Sequence, residues 1–140
     1  MKRLMVMATL LAAVALPSAA FGLLGDELKI TDQGTTAQIV PAAGGGSAVE
    51  VVGKYSGLGN NVVTAHISAP FSCTNNGGNK PPGQLSANTG PIAPSNGNIT
   101  FDVTTNAANC PDHMDPLIGP TVTVTLTLAD GSFRVFTYPV

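Results

Sequence analysis

Residues 121 to 128 read Thr-Val-Thr-Val-Thr-Leu-Thr-Leu, an unbroken alternation of threonine with an aliphatic residue. Successive side chains of an extended strand point to opposite faces, so the aliphatic residues share one face and the threonines share the other. β-Branched residues without an intervening Gly or Pro are typical of a strand. The stretch therefore predicts a strand with one buried face and one hydroxyl-bearing face.

Asp130-Gly131 follows this strand and predicts a two-residue type I′ turn into a second strand that ends near Val140. Such a turn would pair Leu128 with Phe133 and Leu126 with Val135 on the apolar face. Phe136 and Tyr138 would then lie on the threonine side. Because exposed aromatic patches often mark interaction sites, these two residues are the candidate contact surface. An alternative is that they cover a sheet edge or meet the N-terminal segment.

The same period-2 alternation recurs along the chain, whereas helical periodicity is absent after residue 22. Clear examples are Val63 to Cys73, Ile99 to Val103 and Val49 to Ser56, with weaker strands at 28–30 and 39–40. Residues 57 to 61 (Gly-Leu-Gly-Asn-Asn) are predicted to form a hairpin turn. The pattern predicts an all-β, two-sheet, immunoglobulin-like sandwich of about six or seven short antiparallel strands.

Residues 74 to 98 are rich in Asn, Gly and Pro and are predicted to form a long loop without core strands. The loop begins in the stretch Cys-Thr-Asn-Asn-Gly-Gly-Asn-Lys-Pro-Pro-Gly-Gln, residues 73 to 84. Asn side chains can bond to nearby backbone groups, and Gly77 and Gly78 can adopt positive φ angles. This favours an architectural role for the loop, and a ligand-binding role is the alternative.

The N-terminus has the order of a secretory signal peptide: basic Lys2 and Arg3, an apolar run, then Pro17 and small residues. Cleavage after Gly22 and cleavage after Ala20 both fit the small-residue rule. The predicted organisation is a signal peptide over 1–22, an extended segment with weak strands over 23–47, and a sandwich domain over 48–140. We expect a secreted protein with no integral membrane association after cleavage, and a periplasmic or cell-surface location stays open.

Charge is sparse, with six Lys and Arg and eight Asp and Glu in 140 residues. Two of the six cations, Lys2 and Arg3, belong to the leader. The few scattered cations that remain cannot neutralise a run of phosphates, so nucleic acid is not an expected partner.

The chain has two cysteines, Cys73 and Cys110. In a secreted protein an even count predicts a disulfide. Zinc binding is the competing use, but two isolated cysteines without a Cys-x-x-Cys pair make a poor zinc site.

No catalytic residue, metal site or cofactor is predicted. Serine-hydrolase signatures such as Gly-x-Ser-x-Gly are missing from the sequence. Asp112, His113 and Asp115 form the one metal-like cluster, and His66 lies on the polar face of its strand. Exposed loop residues bent by Pro111 and Pro116 are the simpler interpretation of that cluster.

Several motifs together resemble an uncharacterised family of small secreted bacterial proteins. The motifs are Tyr-Ser-Gly-Leu-Gly-Asn at 55–60, the Cys-Thr-Asn-Asn-Gly-Gly-Asn loop at 73–79 with Pro-Gly-Gln at 82–84, and Cys-Pro at 110–111. The resemblance spans about residues 49 to 138 and implies secretion, an all-β domain and one disulfide, without a known activity. Where the family has an aromatic residue after Cys-Pro, this chain has Asp112, His113 and Met114.

Two classes of function remain from the sequence. The first is a non-enzymatic extracellular module for binding, adhesion or self-assembly, whose partner is an unknown protein or glycan or a second copy. The second is a small secreted enzyme or enzyme inhibitor with an unrecognised site. An enzyme needs a cleft with converging polar groups, whereas a module needs a broad or edge surface.

Overall fold

The computed structural model describes residues 29–74, 82–110 and 114–140, and these contain strands and no helix. The strands are β1 (Thr31–Asp32), β2 (Thr36–Pro41), β3 (Ser47–Ser56), β4 (Val63–Thr74), β5 (Pro82–Ile92), β6 (Ile99–Thr104), β7 (Asp115–Ile118), β8 (Thr121–Leu128) and β9 (Phe133–Pro139).

These strands form two antiparallel sheets. In the four-stranded sheet β3 is central, with β6 on one side and β1 and β2 sharing the other side. In the five-stranded sheet β4 is central, with β5 on one side and β7 and β8 sharing the other, and β9 lies outside β8. The predicted all-β, two-sheet sandwich is confirmed. The strand number is higher than predicted because β5 and the short strands β1 and β7 were not expected.

The core lies between the sheets and is built from the alternating residues that the sequence indicated. In β4 the buried residues include Val63, Ala65 and Ile67, and β8 buries its Val and Leu residues from Val122 to Leu128. Val49 and Val51 of β3 complete the opposite wall. The polar partner residues of each alternation face outward, as the period of 2 requires.

Residues 57 to 61 do not form the predicted hairpin. β3 and β4 belong to different sheets, so this segment crosses from one sheet to the other at one end of the sandwich. Leu58 is fully buried there, and its N–H donates to the Gly97 carbonyl at 3.0 Å. The crossing segment places the Leu58 side chain in the core between the sheets, where its apolar surface is removed from water.

The prediction that residues 74 to 98 contribute no core strand is wrong. β5 pairs with β4 from Ser72↔Pro82 to Val63↔Ile92, and Leu85 is fully buried. Residues 75–81, which include Asn75 and Asn79 of the opening loop motif, lie outside the described part of the chain.

The first described residues belong to the same sandwich. β2 pairs with β3 from Thr36↔Val52 to Pro41↔Ser47, and the Ile30 side chain packs into the core. The boundary predicted between residues 47 and 48 therefore falls inside β3 rather than between two structural units.

A phenylalanine ring lies over a glycine directly across the ladder in each sheet. Phe101 faces Gly53 in the four-stranded sheet, and Phe71 faces Gly83 in the five-stranded sheet. A Cβ atom on either glycine would collide with the ring. The absence of a side chain on the glycine therefore makes room for the ring, which packs against the core.

The predicted disulfide is confirmed. Cys73, at the end of β4, bonds to Cys110, with the two Cα atoms 5.6 Å apart. Cys73 is 5% exposed, because it continues the inward face of β4 after Phe71. The bond joins the end of the five-stranded sheet to the segment that follows β6.

Candidate binding surface

The β8–β9 hairpin has a different register from the one that the sequence suggested. Thr127 pairs with Phe133 and Leu126 with Arg134, one residue away from the predicted pairs. The Leu128 N–H donates to the Ser132 carbonyl at 2.8 Å, which leaves a three-residue loop from Ala129 to Gly131. Gly131 alone has positive φ in this loop, at 92°, whereas a type I′ turn needs two such residues.

The Asp130 carboxylate stabilises this longer loop. Its Oδ1 accepts the Ser132 N–H at 2.9 Å and the Ser132 hydroxyl at 2.6 Å. Hydrogen bonds from Ser132 lower the pKa of Asp130, so the ionised carboxylate is the form that holds the loop.

A one-residue shift moves every side chain of a strand to the other face. Phe136 therefore pairs with Val124, and Tyr138 with Val122, on the core side of the sheet. Val135, predicted to be inside, is 44% exposed. The prediction that Phe136 and Tyr138 lie on the outer face is wrong. The reason for choosing them as a candidate contact surface therefore no longer holds.

These residues instead join the two sheets in an aromatic cluster of Tyr55, Phe101, Phe136 and Tyr138. The Phe136 ring centroid is 4.9 Å from that of Tyr55 and 6.5 Å from that of Tyr138. Tyr55 also stacks with Phe101 at 6.1 Å, and the Arg134 guanidinium carbon lies 5.5 Å from the Phe136 ring centroid. Offset and tilted pairs at these distances stabilise a core beyond their buried area.

The two tyrosine hydroxyls of the cluster meet each other. Their oxygens are 2.7 Å apart, and Tyr55 is only 1% exposed. Burial raises the pKa of Tyr55 and, less strongly, that of Tyr138. Both phenols are neutral at physiological pH and serve as an internal polar link between the sheets.

The outer side of strands β4, β5, β8 and β9 forms a surface four strands wide, which we call the threonine face. Its side chains are aligned in rows by the strand register. The rows are Ser86–Ser68–Thr123–Thr137, Asn88–His66–Thr125–Val135 and Thr64–Thr127–Phe133. With strands spaced by 4.7–4.9 Å, four strands span about 14 Å.

No Asp, Glu, Lys or Arg occurs in these rows. His66 is the one titratable group, and its Nδ1 lies 2.9 Å from the Asn88 side-chain oxygen. Hydroxyl groups with threonine methyls dominate the centre, and Phe133 and Val135 form an apolar margin along β9. The face therefore offers mainly hydrogen bonds and van der Waals contacts to a partner, and its rows hold no Asp, Glu, Lys or Arg for an ion pair.

The outer side of the four-stranded sheet differs, because it carries charges. Glu50 accepts a hydrogen bond from the Gln38 amide at 2.8 Å and lies next to Asp102. Partial desolvation, repulsion by the Glu50 carboxylate and a hydrogen bond between the two groups raise the pKa of Asp102. The ionised form of Asp102 is therefore disfavoured at this surface.

We expect Asp102→Asn to raise the melting temperature at pH 7 and to have less effect near pH 4. A raised pKa in the folded state means that the contribution of Asp102 to stability is complete below its unfolded pKa of about 3.9. That contribution to stability is lost as the pH rises through the pKa of Asp102 in the folded protein. Thermal unfolding of both proteins at the two pH values measures this difference.

Asp130→Asn is the matched control for Asp102→Asn, since the Asp130 pKa is lowered and the sign reverses. This control should lower the melting temperature at pH 7. An Asp102→Asn effect that is the same at both pH values would contradict the assigned repulsion.

A shallow cleft of about 350 Å³ lies on the four-stranded sheet near Tyr55. Its described lining is Gln33, Lys54, Tyr55, Ser56, Asn98, Ile99 and Thr100. The Gln33 amide already donates to the Ser56 hydroxyl at 2.9 Å. None of these described lining residues carries a carboxylate or an imidazole.

Two residues of the metal-like cluster, Asp112 and His113, lie outside the described residues, and Asp115 is exposed at the start of β7. Within the part of the chain that is described, no three His, Cys, Asp or Glu residues come together as metal ligands. His66 also belongs to β4, but it lies on the threonine face, away from the end of the strand that is near Asp115.

Comparison with known families found no family model that matches the chain, and comparison with curated proteins found no match. The resemblance to secreted bacterial proteins therefore stays a prediction from the motifs. Across the three described ranges, no helix has the length and apolar character needed to cross a bilayer.

Proposed function

We propose that this protein is a secreted, non-enzymatic binding module whose threonine face adheres to an uncharged polysaccharide. A leader-like N-terminus and a disulfide both support export to an oxidising compartment. Antiparallel sandwiches, including immunoglobulin-like ones, often serve in extracellular recognition. That likeness is an analogy of architecture, so the proposal depends on the surface itself.

The observation that carries the proposal is the aligned, charge-free array of hydroxyl and amide groups on the threonine face. A charged partner would lose part of its hydration there without gaining a counter-charge. A polymer of neutral sugars offers hydroxyl groups and apolar C–H surfaces, which match the threonine hydroxyls and methyls.

The array is also rigid before binding. Thr123, Thr125 and Thr127 are β-branched and have restricted χ1 angles, and their strand is paired on both sides by β4 and β9. Fixing such side chains on binding costs little conformational entropy compared with long, flexible side chains. Many weak contacts can therefore add up along a polymer.

The alternative function, a small enzyme or inhibitor, needs a concave site, and one such concavity among the described residues is the cleft near Tyr55. The described lining of that cleft provides Lys54 and neutral polar groups only. The threonine face, in contrast, aligns hydroxyl and amide groups over four strands, so the binding module is the function that we favour.

Depletion from solution by insoluble cellulose, chitin and β-1,3-glucan tests the proposal. We expect the disulfide-intact protein to bind at least one of these polymers, and Thr125→Lys to weaken that binding at least tenfold. Thr125 lies at the centre of the face, where a lysine would introduce an unmatched charge. Increasing salt should leave wild-type binding nearly unchanged, since no ion pair is involved.

Thr104→Lys is the matched control, because Thr104 is an exposed strand threonine on the outer side of the other sheet. It should bind like the wild type. Equal losses in both lysine variants, or a wild type that binds none of the three polymers, would contradict the proposal. Melting curves of both variants establish that they are folded.

A further inference from the structure

Strand β9 forms one edge of the five-stranded sheet, and no other described strand pairs with its outer side. We propose that β9 pairs antiparallel with β9 of a second copy around a two-fold axis, which joins the two five-stranded sheets into one. The proposal is independent of the polysaccharide proposed above. If both hold, the dimer doubles the width of the threonine face.

The hydrogen-bond pattern of the hairpin shows which backbone groups are available. The Leu128 N–H donates to the Ser132 carbonyl, and the Val140 N–H donates to the Pro120 carbonyl. In an antiparallel ladder bonded residues alternate with non-bonded ones, so Arg134, Phe136 and Tyr138 bond towards β8. Phe133, Val135 and Thr137 consequently direct their N–H and C=O groups to the open edge.

The opposite edge of the same sheet, β5, is protected. The Ser86 N–H donates to the Asn106 side chain at 2.9 Å, and the Ser86 carbonyl accepts the Asn106 N–H at 3.3 Å. Pro91 further interrupts the row of β5 donors. Within the described residues no comparable bond reaches the outer edge of β9, and β9 has no lysine to discourage pairing.

The strand is self-complementary in one register. With Val135 of one copy opposite Val135 of the other, Phe133 lies opposite Thr137, and each pair exchanges both N–H···O=C bonds. Pro139 lacks an N–H at one end of the strand, and the hairpin loop ends at Gly131 at the other, so a shift of the pairing in either direction loses hydrogen bonds. Val135, which is 44% exposed, becomes covered by its counterpart.

The charges agree with this register. Arg134 is the one charged residue of β9 and lies on the inner side of the strand. In the proposed pairing it is opposite Phe136 of the second copy rather than the second Arg134. Arg134 already lies 5.5 Å from the ring centroid of its own Phe136, so both cations can remain over aromatic faces.

Pairing a short edge strand buries a small interface, and we expect a dissociation constant on the order of micromolar. Sedimentation velocity of the disulfide-intact protein from about 1 µM to 1 mM measures it. Val135→Lys places two like charges next to each other on the axis and should weaken dimerisation at least tenfold. Val135→Pro removes an outward N–H and should have a similar effect while the monomer stays folded.

Gln84→Lys is the matched control, because Gln84 is an exposed residue of β5, and this variant should dimerise like the wild type. A wild type that stays monomeric to about 1 mM would overturn the proposal. So would a dimer unaffected by Val135→Lys, or one abolished by Gln84→Lys. Slow hydrogen exchange at Phe133, Val135 and Thr137 in a monomer would show that the edge is covered within one chain, and would also overturn it.

Discussion

Replacing both Cys73 and Cys110 by alanine should lower the free energy of unfolding by about 2–5 kcal/mol. The bond links two residues that are 37 positions apart in the sequence, and the closed loop restricts the conformations of the unfolded chain. It also holds the end of β4 against the segment after β6. Because a domain of this size has about 5–15 kcal/mol of stability in total, the double variant should be close to unfolding at 37 °C.

Urea unfolding of the oxidised wild type and the double variant measures this loss. Changing both cysteines together avoids a free buried thiol, which would complicate a single variant. Wild-type protein unfolded in the presence of a reducing agent is the control, and its midpoint should approach that of the double variant. A double variant as stable as the oxidised protein would show that the cross-link contributes nothing.

Phe136→Ala should cost about 3 kcal/mol, near the lower end for removal of a core phenylalanine, because the ring is half buried. The change removes the contact with Tyr55 and the ring beneath Arg134. The neighbouring Val135→Ala should cost less than about 1 kcal/mol in the monomer, since that side chain points outward. Urea unfolding at low protein concentration, where the chain is monomeric, gives both values.

This pair of variants distinguishes the two hairpin registers. The register with a two-residue turn at Asp130-Gly131 predicts the reverse order, with Val135 inside and Phe136 outside. A larger loss from Val135→Ala than from Phe136→Ala would therefore contradict the observed pairing. Phe136→Leu should recover part of the loss, because it restores apolar volume at the same position.

Strand identity was predictable wherever one face is buried throughout. The alternation in β4 and β8 depends on burial alone, and both strands have the inward residues that their periodicity indicates. The disulfide followed from two cysteines in an exported chain. These features need little knowledge of the rest of the fold.

The register of β9 was not predictable from alternation, because both of its faces carry large apolar residues. Phe133 and Val135 on one face look as suitable for the core as Phe136 and Tyr138 on the other. The Asp130–Ser132 hydrogen bonds and the contact with Tyr55 of the other sheet decide between them. Only Ser132 is a local signal that could have suggested the longer loop.

β5 was missed for a different reason. Its Gly and Pro residues argue against a strand locally, yet Gly83 is needed beneath Phe71, and Pro82 and Pro91 lie towards its two ends. Leu85 and Ala87 give only a short apolar alternation. Pairing with the long strand β4 overrides the weak local propensity, and propensity cannot anticipate such a partner.

The candidate surface was predictable in part. The sequence indicated a polar, threonine-bearing side of β8, but not the strands on either side of it. Ser68, Ser86 and Thr137 come into one row with Thr123 only through the pairing of four strands. Most of the surface is thus a product of long-range register.

The two phenylalanine–glycine pairs have a consequence for how this sequence can diverge. A mutation that adds a side chain at Gly53 or Gly83 meets a ring, and one that shrinks Phe101 or Phe71 opens a void. Each position can therefore drift freely only after its partner has changed. Lineages that retain the fold should inherit the large and the small residue together, or exchange them as a linked pair, so that two distant sites evolve as one.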